Sequence, residues 1–555
     1  MKIPSHLLWL ALLGIVSLAG CKNQSSEKAV NPNLVSATEK LFDLKMTGPE
    51  RDSMISALES QLSDYTIIHK QAIDNSVPPA IWFNPVPAGV VYTETQKPID
   101  WKFPSNVLLP ADKKELAWYS VADLSVLIRT RKISSVELTR FFIDRLKKYS
   151  DTLHCVITLT EDRAMKQAQK ADNEIAQGIY RGPLHGIPYG IKDLFAVDGY
   201  KTTWGARPYK DQVISKDATI VKKLDEAGAV LVAKFSLGSL AMDDVWFGGL
   251  TRNPWDLNQG SSGSSAGSAA ATAAGLIPFA IGTETWGSIV SPSTRCGVTG
   301  LRPTYGRVSR AGAMALSWSM DKVGPICRSA YDCALVFKTL LGSDGIDQSV
   351  TDYPFNYNSS IDIKKLKVGY LKSLFDLNDN RANDSISLNV IRNMGISLTP
   401  VVLPDSATIP VKSLGIILVA EAAAAFDDLT RSNKDDELNL QDKNAWPNIF
   451  RAAQFIPAVQ YIQANRLRYK LIQEMYEVMK QYDVIITPSM SGNQLLLTNL
   501  TGNPCVVVPN GSDKENHPTS ISFIGNLYDE ATLLSFAKVY QDATSFNKQR
   551  PPMFK

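Results

Sequence analysis

The sequence predicts an α/β fold, because helical patterns alternate with short apolar strands through the middle of the chain. The string "DATIVKKLDEAGAVLVAKF" predicts a helix that ends at Gly228 and is followed by a buried strand. The string "CVITLT" predicts another strand, which leads into a helix with Ala164, Ala168 and Ala171 on one face. Further strands are predicted at "LKVGYL", "DVIITP" and "CVVVP", and a long helix is predicted near residues 451–482.

Composition indicates a globular protein with a large core, since 44% of the 555 residues are hydrophobic and 20% are charged. The net charge of +3 comes from well-mixed charges, so no basic stripe indicates a nucleic-acid partner. We therefore expect a small-molecule or peptide partner and no nucleic acid.

The N-terminus has the pattern of a secretory signal. An apolar stretch from Leu7 to Leu18 is short for a membrane-spanning helix, and small residues follow it up to Cys21. The tetrad Leu-Ala-Gly-Cys resembles the lipobox of bacterial lipoproteins, in which the cysteine is acylated and becomes the first residue. We expect a lipoprotein signal peptide at 1–20, lipidation at Cys21 and a polar tether at 21–33, and the alternative is an ordinary signal peptide or anchor. The protein would then lie in the bacterial cell envelope and contact the membrane only through its lipid.

Two further regions follow the tether. Residues 34–115 combine a helical pattern with the Pro-rich string "VPPAIWFNPVPAG" and are predicted to form an N-terminal helical extension. Residues 116–550 carry the α/β pattern and are predicted to form the main domain.

Cysteine and histidine usage does not favour a metal site. The five remaining cysteines form no CxxC pair and lie mostly in apolar strings, which is typical of buried thiols, and the five histidines are scattered. We expect neither a metal nor another cofactor.

The run "GSSGSSAGSAAATAAG" at 260–275 has the composition of a flexible linker, but its neighbours are apolar segments of one continuous pattern. A phosphate-binding P-loop would end in Gly-Lys-Ser/Thr, and no lysine occurs between Arg252 and Arg310. Small residues at such a place indicate packed backbone that another segment approaches closely.

Three polar residues lie in stretches that otherwise favour burial: Lys192, Ser264 and Ser288. Each has a simple alternative explanation, since the lysine could be a surface residue paired with Asp193 and the serines could be turn residues.

Taken together, the strings around these residues resemble the amidase signature family. The string "GSSGSSAGSAAATAAGLIPFAIGTETWGSIVSPSTRCGVTGLRPTYGRVS" is similar to the family's Gly/Ser-rich signature, and "GIPYGIKDLF" is similar to its lysine segment. Weaker similarity extends over most of residues 116–550. The resemblance implies the amidase signature fold, a mixed sheet covered by helices on both faces.

The resemblance also implies a catalytic triad. Ser288 matches the nucleophile, Ser264 matches the serine that follows a cis peptide bond from Gly263, and Lys192 matches the base. A serine hydroxyl needs a base to become nucleophilic, and lysine acts as one only when burial has lowered its pKa from ~10.4 by a few units. Lys192 would take a proton from Ser264 while Ser264 takes one from Ser288.

The same resemblance implies an oxyanion hole of backbone N–H groups from Thr285, Trp286, Gly287 and Ser288. Each donor would contribute roughly 3 kcal/mol by analogy with other oxyanion holes.

The sequence departs from the common family pattern beside the nucleophile, where Trp286 and Val290 replace a smaller residue and an arginine. The sequence "GTETWGSIV" is similar to the corresponding sequence of the peptide amidase branch. We expect a more apolar pocket rim than a free amino acid requires.

The function expected from these observations is an exported, lipid-anchored amidase that hydrolyses a carboxylic or peptide amide through an acyl-enzyme. One alternative within the family is a protein like the amidase-related component of the tRNA-dependent glutamine amidotransferase. Another is a non-catalytic surface binding protein on an amidase fold.

Overall fold

The computed structural model describes residues 30–71, 73–99 and 101–555, which fall into two compact units divided between residues 72 and 73. The predicted signal peptide at 1–20, Cys21 and most of the predicted tether lie outside the described residues. Within the ranges described, no helix is both long and apolar enough to cross a bilayer.

The helices of the described residues are α1 Pro32–Glu39, α2 Gly48–His69, α3 Val121–Arg129, α4 Ser135–Leu153, α5 Glu161–Ala176, α6 Thr219–Glu226, α7 Ala266–Ala273, α8 Val290–Cys296, α9 Ala330–Leu340, α10 Lys372–Leu377, α11 Arg381–Asn393, α12 Ile416–Ala425, α13 Asp427–Arg431, α14 Trp446–Ala453, α15 Ala458–Met479, α16 Gln494–Thr501 and α17 Glu530–Thr544. The strands are β1 Val156–Leu159, β2 Pro188–Lys192, β3 Val230–Phe235, β4 Val245–Trp246, β5 Gly249–Leu250, β6 Arg252–Asn253, β7 Asp256–Gly260, β8 Phe279–Glu284, β9 Thr299–Arg302, β10 Lys322–Cys327, β11 Val368–Tyr370, β12 Leu398–Pro400, β13 Val484–Pro488, β14 Cys505–Ser512 and β15 Pro518–Gly525.

The first unit contains α1 and α2, which an ion pair between Arg51 and Glu39 links at 2.6 Å. The described residues between 73 and 112 form neither helix nor strand, so the helices of the predicted extension lie at its N-terminal end. The predicted domain boundary at residue 116 stays a prediction.

The second unit is built on a mixed sheet. Among the described residues, eleven strands form it in the order β1-β3-β2-β8-β10-β9-β14-β15-β13-β11-β12. Strand β2 runs parallel to both β3 and β8, and β11 runs parallel to β12 and β13, whereas the other neighbouring pairs are antiparallel. The predicted α/β fold class is confirmed.

Helices pack on both faces of this sheet. Successive side chains of a strand point to opposite faces, so one strand contributes side chains to the core on each side. In β8, Phe279 and Ile281 join one hydrophobic core cluster, and Ala280 between them joins the other. The first cluster includes residues of α3, α6, α9 and α17, and the second includes residues of α5, α7 and α8. The central strands are therefore buried on both sides.

The long helix predicted near 451–482 is two helices, α14 and α15, because Pro457 lies directly before α15 and its ring cannot continue a preceding helix. The five described cysteines are free and buried, as their apolar surroundings predict.

Helix α7, which the Gly/Ser-rich run forms, lies unusually close to its neighbours. All of its residues are buried. A Cβ atom on Gly267 would lie 2.3 Å from the carbonyl oxygen of Cys155 and 2.6 Å from Ser236 Oγ, so only glycine permits this approach. The run is packed backbone, as the sequence predicts, and not a linker.

We expect Gly267→Ala to destabilise the protein by about 1–3 kcal/mol, because overpacking forces the backbone at Cys155 to move. A lower midpoint of urea unfolding would show this. The matched control is Gly415→Ala, whose new Cβ would meet its nearest neighbour, a Leu496 methyl, at 3.8 Å. Equal midpoints for the two variants would contradict the close approach.

Candidate active site

Lys192 lies at the carboxyl end of β2, a strand of five buried residues. Its Nζ lies 2.7 Å from Ser264 Oγ and 2.9 Å from Thr283 Oγ1, within hydrogen-bonding distance of both. Strands β2 and β8 are parallel, so their carboxyl ends meet at one edge of the sheet and bring Lys192 and Thr283 together.

The lysine is fully buried, and no carboxylate of the described residues forms an ion pair with it. The alternative of a surface ion pair with Asp193 is wrong, because Asp193 Oδ1 lies 2.8 Å from Lys234 Nζ. Burial lowers the pKa of Lys192 to about 7, against the opposing effect of the Asp321 and Glu284 carboxylates. The amine is therefore neutral in a large fraction of molecules near neutral pH.

Ser264 begins the turn that leads into α7, and the peptide bond between Gly263 and Ser264 is cis, as the family resemblance implies. The turn is tightly enclosed, since a Cβ atom on Gly263 would lie 1.8 Å from the carbonyl oxygen of Asp243. Ser264 is buried together with Ser265. Tight packing from another segment thus fixes the backbone that presents the Ser264 hydroxyl to Lys192.

Ser265 connects this turn to the loop of the predicted nucleophile. Its backbone N–H donates to the carbonyl oxygen of Ser288 at 3.1 Å. Its hydroxyl donates to the carbonyl oxygen of Thr283 and accepts from the Thr283 N–H, each at 3.1 Å. Ser264 and Ser288 therefore lie on two loops joined by a backbone hydrogen bond.

Ser288 lies in the turn between β8 and α8, and 8% of it is exposed. Gly287 has φ +86°, a left-handed conformation that favours glycine. No acceptor in the described part of the chain takes a hydrogen bond from the backbone N–H groups predicted to form the oxyanion hole, which belong to Thr285, Trp286, Gly287 and Ser288. These four amides therefore have no acceptor among the described residues, and their role as an oxyanion hole stays a prediction.

Glu284 fixes the shape of this turn. Its Oε2 accepts from the backbone N–H groups of Ile289 and Val290 at 2.8 and 2.9 Å, and thus satisfies the start of α8. Its Oε1 accepts from Arg302 at 3.0 Å and from Asn499 at 2.8 Å. Burial would raise the pKa of Glu284, but the Arg302 charge and these donors hold it below its usual value.

A cavity of about 120 Å³ is lined by Thr283 and Thr285, the neighbours of the predicted triad, whereas Lys192, Ser264 and Ser288 themselves do not line it. Much of its wall is apolar and includes Leu194, Met314 and Leu316. Because Thr283 contacts Lys192 and Thr285 belongs to the predicted oxyanion turn, we expect this cavity to hold part of a substrate.

The charged groups around the cavity have partners within the protein. Arg310 contacts Asp347 at 2.9 Å and donates to the carbonyl oxygen of Trp318 at 2.6 Å. Asp321 accepts from Thr285 Oγ1 at 2.6 Å and from the backbone N–H groups of Leu316 and Ser317 at 2.8 and 3.0 Å. Burial shifts the pKa of Lys322 well below its usual value, and its Nζ donates to the carbonyl oxygen of Met320.

The expectation of an apolar rim made by Trp286 and Val290 needs correction. Val290 is fully buried in a cluster with Leu495, Cys505 and Val507, so it does not face the cavity. Trp286 is 51% exposed and is not among the cavity-lining residues. The apolar character of the cavity comes from other residues.

One cluster with potential metal ligands lies elsewhere, in the hairpin between β14 and β15. The ligand atoms of Asp513, Glu515 and His517 lie within 4.8 Å of one another. The cluster belongs to none of the elements that carry Lys192, Ser264 or Ser288.

Comparison with known proteins places the chain in a family. Residues 137–498 match the protein-family model described as Amidase. The chain is 32% identical over 487 residues to a glutamyl-tRNA(Gln) amidotransferase subunit of Coxiella burnetii, and the match covers 78% of this chain and 99% of that protein. The match is thus close to full length for the relative.

Solved structures agree with this assignment. The peptide amidase from Stenotrophomonas maltophilia is 28% identical with a TM-score of 0.72, over 80% of this chain and 100% of that one. An amidase family protein from Bacillus anthracis is 26% identical with a TM-score of 0.70, over 79% and 93% of the two chains.

The protein therefore belongs to the amidase family, and both the predicted family and the amidase signature fold are confirmed. It is an enzyme that acts on amide C–N bonds. The catalytic roles of Lys192, Ser264 and Ser288 stay predictions.

Sequence reasoning did not single out the residues that support the triad, namely Thr283, Glu284, Arg302 and Asp321. Thr283 and Glu284 stand in the quoted string "GTETWGSIV". A carboxylate in a strand that is otherwise apolar indicates a buried ion pair or hydrogen-bond network, and this signal could have identified Glu284. Arg302 also stands in the longer quoted signature string, 18 residues after Glu284, but its pairing with Glu284 depends on the fold. Asp321 lies beside β10, and the pairing of β10 with β8 brings it next to the Ser288 turn.

We expect Glu284→Ala to lower the free energy of unfolding by about 3–5 kcal/mol at pH 7, because it leaves Arg302 buried without its carboxylate. Since folding lowers the pKa of Glu284, its contribution is present above the usual value of 4.5 and is lost as the pH falls below it. Urea unfolding at pH 7 and at lower pH measures both effects. The control is Glu477→Ala on the exposed side of α15, and an equal midpoint for the two variants would contradict this role.

Proposed function

We propose that the protein hydrolyses uncharged carboxylic or peptidyl amides through an acyl-enzyme on Ser288, with Ser264 and Lys192 as the proton relay. The observation that carries this proposal is the buried Lys192 amine, which contacts Ser264 Oγ at 2.7 Å and has no carboxylate partner among the described residues. An amine kept neutral in this way is able to accept a proton.

Thr283 supports the direction of the proton transfer. A neutral lysine has two N–H groups and one lone pair, and Thr283 Oγ1 at 2.9 Å can accept a hydrogen bond from one of these N–H groups. The lone pair is then free to face Ser264, which donates its proton to Nζ and accepts the proton of Ser288. Ser288 Oγ forms a bond to the amide carbon, and the carbonyl electron pair moves to oxygen.

Collapse of the tetrahedral intermediate completes acylation. The electron pair returns from the oxygen, the C–N bond breaks, and the relay delivers a proton to the leaving nitrogen, so ammonia or an amine departs. Water then attacks the ester carbon by the same relay and releases the carboxylic acid and free Ser288. The unpaired amides of Thr285 through Ser288 are the donors we assign to the oxyanion in both steps.

A second candidate function is that of an amidotransferase component, which the 32% identity to the Coxiella burnetii protein favours. Recognition of free glutamine would require partners for an α-carboxylate and an α-ammonium group. Arg310 and Asp347 in the cavity wall are paired with each other instead. The paired charges support an uncharged substrate. A non-catalytic binding role would leave the neutral lysine without a use.

We also propose that the protein is exported and anchored through an acylated Cys21 in the bacterial cell envelope. The support is the apolar stretch from Leu7 to Leu18 and the tetrad that ends at Cys21. Mass spectrometry of the native N-terminus tests this, and an intact Met1 or an unacylated Cys21 would contradict it.

We expect kcat/KM for an amide to fall as the pH decreases through about 7, because protonation of Lys192 removes the base. Below that value the loss should approach tenfold per pH unit. Lys192→Ala should lose most of the activity and this pH dependence together. A flat profile from pH 5 to 9, with folding verified by circular dichroism, would contradict the role of Lys192.

A substrate panel distinguishes the two candidate functions. We expect the purified protein, without ATP, tRNA or a second polypeptide, to release ammonia or amine from uncharged or peptidyl amides faster than from free glutamine. Ser288→Ala is the control and should abolish turnover of every substrate. Glutamine as the best substrate, with turnover that rises only when a partner polypeptide is added, would overturn the hydrolase.

A further inference from the structure

One side of the cavity is formed by residues 75–83, which we call the strap. Pro78, Pro79, Ile81 and Trp82 of the strap all line the cavity. Ile81 is 74% exposed and Trp82 is 52% exposed, so both present apolar surface that no protein group covers fully. Exposed apolar side chains at the edge of a substrate cavity are suited to contact a ligand.

The strap is held at its first residue. Asn75 Nδ2 donates to the carbonyl oxygens of Ala315 and Ala425 at 3.0 and 3.2 Å, and Asn75 Oδ1 accepts from the N–H of Ala315 at 2.8 Å. Ala315 itself lines the cavity. These bonds tie the start of the strap to the 314–316 segment of the cavity wall.

The strap is also held at its last residue. The guanidinium of Arg468 lies 3.5 Å from the centroid of the Phe83 ring, and the Tyr305 ring meets Phe83 edge-on at 4.9 Å. Arg468 is buried and donates to the carbonyl oxygens of Leu500 and Ser319 at 2.6 and 2.9 Å, so its position is fixed. Two consecutive prolines restrict the backbone between these anchors. Ile81 and Trp82 are therefore presented by a backbone fixed at both ends.

The strap lies outside the part of the chain that matches the family model, which begins at residue 137. The part of the cavity wall formed by Met314 to Leu316 lies within it. The cavity thus combines a wall from the family domain with a wall from the preceding segment. The strap is therefore a part of the cavity that the matched family domain does not supply.

We infer that Ile81 and Trp82 determine specificity, and that they select amides carrying an aromatic or bulky apolar group over small aliphatic amides. The inference rests on the proposed hydrolase function and adds the chemical class of its substrate. An aromatic group in the cavity would contact the Trp82 indole and the prolines, whereas acetamide offers only a methyl group to such contacts. Selection should therefore appear mainly in KM.

The test compares phenylacetamide with acetamide in the full protein. We expect Trp82→Ala to lower kcat/KM for phenylacetamide about tenfold, mainly through KM, and to change that for acetamide less than twofold. Ile81→Ala should act in the same direction with a smaller effect. The matched control is Phe455→Ala, which removes an exposed aromatic side chain outside the cavity and should leave both substrates unchanged.

A binding measurement keeps this inference separate from the proposed function. Absence of turnover of every amide by the wild-type protein would overturn the hydrolase, and titration calorimetry of the wild-type and Ser288→Ala proteins with phenylacetamide would still decide the role of the strap. Weaker binding after Trp82→Ala supports the inference. Equal binding with and without Trp82, no binding at all, or an equal loss of kcat/KM for both amides overturns it.

Discussion

The burial of the Lys192 amine beside Ser264 is the constraint on which the rest of the site depends. An amine loses its proton near neutral pH only if it is buried from water and no carboxylate pairs with it, and the site meets both conditions among the described residues. Strand β2 is covered on its two faces, and the neighbouring Asp193 is bound by Lys234 at 2.8 Å and by the Thr203 hydroxyl at 2.5 Å. The carboxylate nearest in sequence is thereby directed away from Lys192.

A second carboxylate, Glu284, fixes the turn that carries Ser288, the proposed nucleophile. It accepts the first amides of α8 and binds Arg302, so the position of the Ser288 turn depends on an ion pair between two strands of the sheet. Those amides are satisfied, whereas the amides of the preceding turn, which we propose as the oxyanion donors, have no acceptor among the described residues. The N–H groups of Ile289 and Val290 thus stabilise the fold through Glu284, whereas those of residues 285–288 are the ones we propose for catalysis.

The sequence allowed the elements that carry chemistry to be predicted, because their signals are local. Lys192 follows a short apolar string, and the Gly/Ser-rich run contains glycines that close contacts require, as Gly263 and Gly267 demonstrate. The break at Pro457 was missed because the apolar pattern continues on both sides of it. Val290 was predicted at the rim only from comparison with the family's sequence pattern. Its burial depends on contacts with Leu495 and Val507, which are remote in sequence. The strap was missed for the same reason, since its anchors at Ala315 and Arg468 are contacts between distant segments.

Lys192 and Ser264 are proposed to act as one relay for Ser288, and a double-mutant cycle on kcat tests this most directly. If the two residues transfer the same proton, the double variant Lys192→Ala/Ser264→Ala should be scarcely slower than either single variant. Residual activity should remain in all three, because the backbone oxyanion donors are intact. Losses that multiply in the double variant would mean independent roles and would contradict the relay.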